Sequence, residues 1–234
     1  MDLWGRIYLD HWRGESHPHQ FIRDDGKTHH VPSAAAYFEA PRNAVERHAL
    51  ETLAGRVLDL GCGSGSYTRF LEERGLVVTS IDISRGAIAV CRERGCRDAR
   101  VANIDALPLD LRPFDAMICM GNTLGIGQHP DTLPRRLEAL RALCRPAGRL
   151  LAMIRDPVST ADPEHLAYHD RNRAAGRPPG LVRSRIKYRD ELGEWWELWM
   201  PTQSELELAG QQSGWSVQRQ SAENALRLYE LTSV

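Results

Sequence analysis

The stretch Val57-Leu58-Asp59-Leu60-Gly61-Cys62-Gly63-Ser64-Gly65 decides how the rest of the chain is read. Val57, Leu58 and Leu60 form a short apolar run suited to a strand covered on both faces. The glycines at every second position permit a tight turn or the close approach of a ligand. Helical apolar spacing at Phe70 and Leu71 follows within residues 67–74, so the unit is strand, glycine loop, helix. A dinucleotide loop of the G-x-G-x-x-G kind needs its third glycine at position 66, where this chain has Ser66. Asp59, one residue inside the strand's end, adds a negative charge that suits a ligand amine and not a pyrophosphate.

Outward from that stretch, residues 41–54 carry helical spacing at Val45, Leu50 and Leu53, and Gly55 stops the helix before the first strand. Residues 76–82 form a second strand that ends in Asp82. A carboxylate there, one strand-loop-helix-strand unit beyond the first, can accept both hydroxyls of a ribose. Ser84 is available to cap the helix over 84–94. Residues 99–105 read as a third strand ending in Asp105, and residues 113–121 as a fourth, followed by the turn Asn122-Thr123-Leu124-Gly125. A helix over 133–143 precedes a fifth strand, 149–154, which runs into Arg155-Asp156-Pro157.

Asp59, Gly61, Gly63 and Gly65 after a strand form a D-x-G-x-G-x-G pattern that resembles motif I of the class I S-adenosylmethionine-dependent methyltransferases, and the likeness extends over about residues 42–157. It implies an α/β fold: a Rossmann-like, seven-stranded, mostly parallel sheet with helices on both faces. The resemblance further implies that S-adenosyl-L-methionine lies against Asp59, Gly61, Gly63, Gly65, Asp82, Ile83, Ile104, Asp105, Met120 and Gly121, with S-adenosyl-L-homocysteine as the product. In that family Asp59 lies near the methionine amino group, Asp105 meets the adenine amino group and Ile104 lies against its ring.

The Gly121-Asn122-Thr123 turn and Arg155 are similar to positions at which glycine and sarcosine N-methyltransferases hold an amino-acid carboxylate, and an arginine grips a carboxylate with two parallel hydrogen bonds. The expected substrate is therefore a small amine or amino-acid-like acceptor with an anionic group, methylated on nitrogen in preference to oxygen. Asn122, Arg155 and His169 are the positioning candidates, with His29 and His30 as further residues near the mouth. Asp156 departs from those enzymes and argues against a simple glycine substrate; Arg155 pairing with Asp156 or with the hairpin is the alternative to its gripping substrate. The competing functions are a small-molecule O-methyltransferase, a tRNA or rRNA methyltransferase, and a non-catalytic S-adenosylmethionine-binding protein.

Outside the core, residues 1–41 read as an aromatic-rich, His-rich cap with a helix over Leu3 to Trp12. Residues 158–181 read as a long loop with one helical turn near His165, and residues 181–188 and 194–200 as a hairpin lid whose Arg183, Arg185 and Lys187 face is suited to line an anionic pocket. Within 202–234, Thr202 to Glu205 is a capping box that opens a helix, and an antiparallel edge hairpin follows. The organisation expected is one domain over 1–234, with cap 1–41, core 42–157, loop and lid 158–201 and C-terminal elements 202–234.

A chain of 234 residues suits one large domain, and a formal charge of -1 offers no general attraction to nucleic acid or an anionic membrane. The partner expected is a small-molecule acceptor, not a nucleic acid or a membrane, with the lid tryptophans as a possible homodimer contact. Five cysteines, at 62, 91, 96, 119 and 144, read as buried thiols in a reducing compartment, and Cys91 and Cys96 lack the second pair that a zinc site needs. His17, His19, His29 and His30 lack an accompanying carboxylate set, so no metal is expected. With no apolar leader and no apolar run of membrane-spanning length, a soluble cytoplasmic protein is expected.

Overall fold

The structure is a computed structural model, and it describes residues 2–111, 113–223 and 225–234. The chain begins with helix α1 (Leu3–Trp12), strands β1 (His19–Arg23) and β2 (Thr28–Val31), and helix α2 (Ala44–Glu51). Alternating strands and helices follow: β3 (Arg56–Leu60), α3 (Ser66–Glu73), β4 (Val77–Asp82), α4 (Arg85–Glu93), β5 (Ala99–Val101), β6 (Phe114–Cys119), α5 (Leu133–Arg141) and β7 (Cys144–Arg155). The remainder comprises α6 (Pro163–Ala174), β8 (Leu181–Tyr188), β9 (Glu191–Leu192), β10 (Trp196–Trp199), α7 (Gln203–Gln212), β11 (Trp215–Glu223) and β12 (Leu226–Ser233).

Seven strands make one sheet in the order β11-β12-β7-β6-β3-β4-β5. Strands β3 to β7 run parallel, and β12 lies antiparallel to both β7 and β11. The two-residue period of each strand divides the core into two layers. Leu58, Met117, Leu150 and Ala152 point into the layer that holds Leu137 and Leu206 from α5 and α7. Val57, Ile118, Leu151 and Met153 point the other way, against Leu50 and Leu71 from α2 and α3. This is the expected sheet with helices on both faces. The strand expected over 99–105 stops at Val101, because the chain turns at Asn103, whose side chain accepts from the Asp105 amide.

Two other expectations are corrected. The segment expected as a loop contains the three-turn helix α6, capped by Asp162 accepting from Glu164 N at 2.9 Å, with Pro163 in its first turn. The N-terminal cap and the hairpin lid, expected as separate features, form one sheet in the order β10-β8-β1-β2, to which β9 adds alongside β8. Phe21 pairs with Ile186 and His29 across it. Ile186 and Tyr188 pack with Ile7 and Ala34 on the face turned to α1. Arg183 and Arg185 lie on the opposite face, stacked on Trp195 at 5.4 and 4.5 Å. The basic face therefore points away from the interior and does not line a pocket there. Among the described residues, no helix is long and apolar enough to cross a membrane.

Candidate functional site

The carboxyl ends of β3, β4, β5, β6 and β7 converge on one edge of the parallel sheet, where ligands of open α/β sheets bind. At the centre, Gly61 N and Cys62 N both donate to Ile81 O, at 2.9 and 3.0 Å, which stitches the glycine loop to β4. Gly65 has φ 78° and caps α3 from the left-handed region. Its substitution is also blocked by packing, because a Cβ there would lie 2.6 Å from both Cys91 Sγ and Cys96 Sγ. Arg94 clamps the loop from its other side, donating to Ser64 O, Ser64 Oγ and Ser66 Oγ.

Asp82 sits beside the loop. Its Oδ2 accepts from Gly63 N at 2.9 Å and its Oδ1 from Ser84 N at 2.8 Å. Burial raises its pKa against the pull of those amides. Ser84, not Asp82, caps α4 through Ala87 N. Ile83, the next residue, is 70% exposed, an apolar face left open at the strand end. Asp59 is enclosed beneath the loop at 1% exposure, where its Oδ2 accepts from Thr68 Oγ1 at 2.7 Å, and burial pushes it up to about 7.

Ile104 is half-buried against the core, and Asp105 is held by Arg136 through two bonds of 2.8 and 2.5 Å. That fork leaves the carboxylate about half exposed and fixes it at the mouth. Met120 is buried, and around Gly121 a Cβ would meet nothing within 4 Å. Asn122, in the left-handed region at φ 67°, accepts Arg155 N on Oδ1 at 2.5 Å and thereby joins the ends of β6 and β7. Arg155 is exposed and its guanidinium makes no hydrogen bond or ion pair with the described residues, whereas Asp156 pairs with Arg227 at 3.4 Å. His169 lies apart from this group. It is buried in α6 among Arg173, His165 and Arg23, and burial lowers its pKa. His29 and His30 lie on the edge strand β2.

Several contributors were missed in the sequence. Helix α1 crosses α4 at Gly5 and Gly86, and brings the Tyr8 hydroxyl within 3.1 Å of where a Gly63 Cβ would lie. Burial, followed by the charge of Asp82, drives the Tyr8 phenol upward. The carbonyl of Tyr37 accepts from Ser64 Oγ and Ser66 Oγ at 2.5 and 2.9 Å, which pins the segment before α2 to the glycine loop. Buried His19 meets the Tyr37 hydroxyl at 2.9 Å through Nε2. The only signal in the sequence was the density of aromatic and His residues in the first 41 positions.

The strand-end group gathers hydrogen-bond acceptors and apolar faces along one edge of the sheet. Asp82 offers acceptor oxygens for hydroxyls, Ile83 and Ile104 offer apolar faces, and the Gly121 turn leaves room over the sheet edge. Among the described residues, no group of three His, Cys, Asp or Glu side chains could hold a metal ion.

Residues 57–148 match the model of a methyltransferase domain. Over 94 residues the chain is 38% identical to a malonyl-[acyl-carrier protein] O-methyltransferase of Pectobacterium atrosepticum, covering 40% of this chain and 36% of that protein. Over 90 residues it is 40% identical to a trans-aconitate 2-methyltransferase of Mycolicibacterium gilvum, covering 37% and 34%. The chain thus spans no more than about half the length of the curated relatives it matches. In three dimensions it is similar to a SAM-dependent methyltransferase from Bacteroides fragilis in complex with S-adenosyl-L-homocysteine, with a TM-score of 0.83 and 23% identity over 99% of this chain and 94% of that one.

Proposed function

We propose, from the premise that residues 57–148 are a methyltransferase domain within a class I methyltransferase fold, that this chain transfers a methyl group from S-adenosyl-L-methionine to a small molecule bearing an anionic group. The cofactor supplies a methyl activated on a sulfonium. The residues expected to hold it are those at the strand ends. Asp82 takes the ribose hydroxyls, Ile83 and Ile104 flank the adenine, and the exposed side of Asp105 meets its amino group. Gly61, Gly63, Gly65, Met120 and Gly121 give the backbone room along the methionine end. Asp59, enclosed under the loop and bonded to Thr68, acts through the loop's shape.

Because the leaving group is already activated, the protein's contribution is orientation, and a well-aligned acceptor can lower the barrier by several kcal/mol. Asn122 holds the ends of β6 and β7 together, which sets the direction of Arg155. The observation that carries the anionic acceptor is the unpaired Arg155 guanidinium: Asp156, its expected competitor, is taken by Arg227. Oxygen is the acceptor atom that the matched relatives favour, since they are named as O-methyltransferases of malonyl-[acyl-carrier protein] and of ubiquinone biosynthesis. Nitrogen rests on the likeness of the Gly121 turn and Arg155 to glycine and sarcosine N-methyltransferases.

The test is Arg155→Ala assayed for S-adenosyl-L-homocysteine release with a panel of small carboxylic acids. Losing a charge-assisted pair should raise the acceptor KM by about tenfold or more, with cofactor binding unchanged. Unchanged turnover and KM would remove the anchor.

A further inference from the structure

Arg136 is 4% exposed in the middle of α5, where Leu133, Leu137 and Leu140 around it are fully buried. Burying a guanidinium is costly unless its donors are paired, and here they are shared between two parts of the sheet edge. Nε and Nη2 form the fork to Asp105, while Nη1 donates to Leu124 O at 2.8 Å and to Thr123 O at 3.5 Å. Thr123 in turn seats the glycine loop, since a Cβ on Gly61 would lie 2.5 Å from Thr123 Cγ2. The guanidinium is therefore fixed by backbone on one side and cannot follow Asp105 if that acid moves. Ala102 N donates to Asp82 O at 3.0 Å, which lays residues 102–105 along the strand end that carries Asp82.

We propose that Arg136 is a positioning residue for the cofactor's base: by gripping both Asp105 oxygens from inside, it turns their free lone pairs to the mouth and selects a purine that carries an amino group there. The assignment rests on the methyl-transfer reading above and names the residue that makes its base site selective. A carboxylate only accepts hydrogen bonds and has about four lone-pair sites, of which the fork takes two. The Arg136 side chain is 2% exposed and that of Asp105 48%, so the remaining sites face outward. An amino group donates into them. A hydrogen in its place leaves a desolvated carboxylate oxygen unpaired, which costs more than a solvated one. Two parallel bonds also fix the plane of the acid. A lysine could supply the charge but not that grip, because an ammonium is a point donor.

The test is calorimetric titration with S-adenosyl-L-homocysteine and with its analogue in which hydrogen replaces the adenine amino group. The unmodified protein should bind the amino compound at least about tenfold more tightly, the effect of one hydrogen bond to a charged group. Arg136→Lys keeps the charge without the fork, and Asp105→Glu carries the acid one methylene beyond it. In each variant the preference should fall to about threefold or less, the level of an exposed and unfixed pair. The ratio of the two affinities is the readout, because a role confined to stability would weaken both compounds alike and leave it unchanged. Asp105→Glu alters an exposed side chain and leaves Arg136 bonded to Thr123 and Leu124, so it decides the matter if Arg136→Lys does not fold. An undiminished ratio in either folded variant would overturn the proposal, as would equal binding of the two compounds by the unmodified protein. Failure of the unmodified protein to bind either compound would break the underlying methyl-transfer reading.

Discussion

Leu58, Ile118, Leu150 and Leu151 fill the seven-stranded sheet with aliphatic side chains from one continuous length of chain. The five-stranded sheet joins residues 19–31 to residues 181–199, and its His19 and Phe21 pack with Trp4 from α1, His19 also with Tyr37. The two parts of that cap are tied by ion pairs: Lys27 to Asp162 and Glu164 at 2.5 and 2.7 Å, Arg171 to Asp24 at 2.9 Å, and Arg6 to Glu191. Exposed pairs of this kind are individually weak, so the cap depends on its pairing across the chain and on its seat against the core. The core rests instead on continuous apolar runs of parallel strands buried on both faces. The two regions are thus built differently: the core on continuous aliphatic runs, the cap on aromatic contacts and on pairing between distant parts of the chain.

The largest effect expected is at the core's tightest point. Gly65→Ala places a Cβ in the left-handed region, at about 1–2 kcal/mol. It also drives that atom against two buried sulfurs at 2.6 Å, an overpacking of about 1–3 kcal/mol. Denaturant unfolding should report a loss of roughly 2–5 kcal/mol from the two effects together, with S-adenosyl-L-homocysteine binding abolished. A variant that keeps its stability and its binding would show that the loop is not the rigid part of the molecule.

Gly86→Ala tests the seat between the regions. A Cβ on Gly86 would lie 2.5 Å from Gly5 Cα and 2.7 Å from the Gly5 carbonyl, which is backbone and cannot rotate aside. Helices α1 and α4 must separate, at roughly 1–3 kcal/mol. Tyr8 then leaves Gly63. The expected outcome is faster proteolysis within residues 2–38 and weaker cofactor binding, with the core still folded by circular dichroism. Simultaneous loss of both regions would make cap and core one cooperative unit.

The same contrast explains what the sequence disclosed. Strands β3, β4 and β6 announce themselves by apolar runs ending at glycine or acid, and helix α1 was legible to its boundaries as Leu3–Trp12. Helix α6 was not, because its buried residues are Tyr168, His169 and Asn172, which leave no apolar period to detect. Arg136 was invisible for a related reason. Among Leu133, Leu137 and Leu140 it reads as an ordinary charged position of an amphipathic helix, yet it is 4% exposed and grips Asp105. The pairing of β1 with β8 joins positions far apart in the chain, and neither strand's own pattern names its partner. Asp82 could be placed at its strand end and Asn122 in the turn after β6 from local pattern, whereas Asp105 lies beyond its strand, which stops at Val101. His19 could not, because its significance lies in neighbours contributed by other elements.

The smallest expected effect sets one buried titratable group from each region against the other. Asp59 rises from an ordinary 3.8 to about 7, so the native state holds its proton where the unfolded chain has released it. Its contribution to stability is present below about pH 4 and is lost as pH rises through about 7. His19 falls from 6.5 to about 4, so its contribution is present above about pH 6.5 and is lost as pH falls through about 4. Between those limits the two slopes oppose each other, and the melting temperature of the unmodified protein should change little on their account. Asp59→Asn removes the core's slope, so its melting temperature should climb more steeply than that of the unmodified protein from pH 4.5 to 7. His19→Gln removes the cap's slope and should fall over the same interval. Differences of a few degrees are expected for a chain of this size. Parallel curves for all three proteins would show that neither group is held in its unusual protonation state by its region.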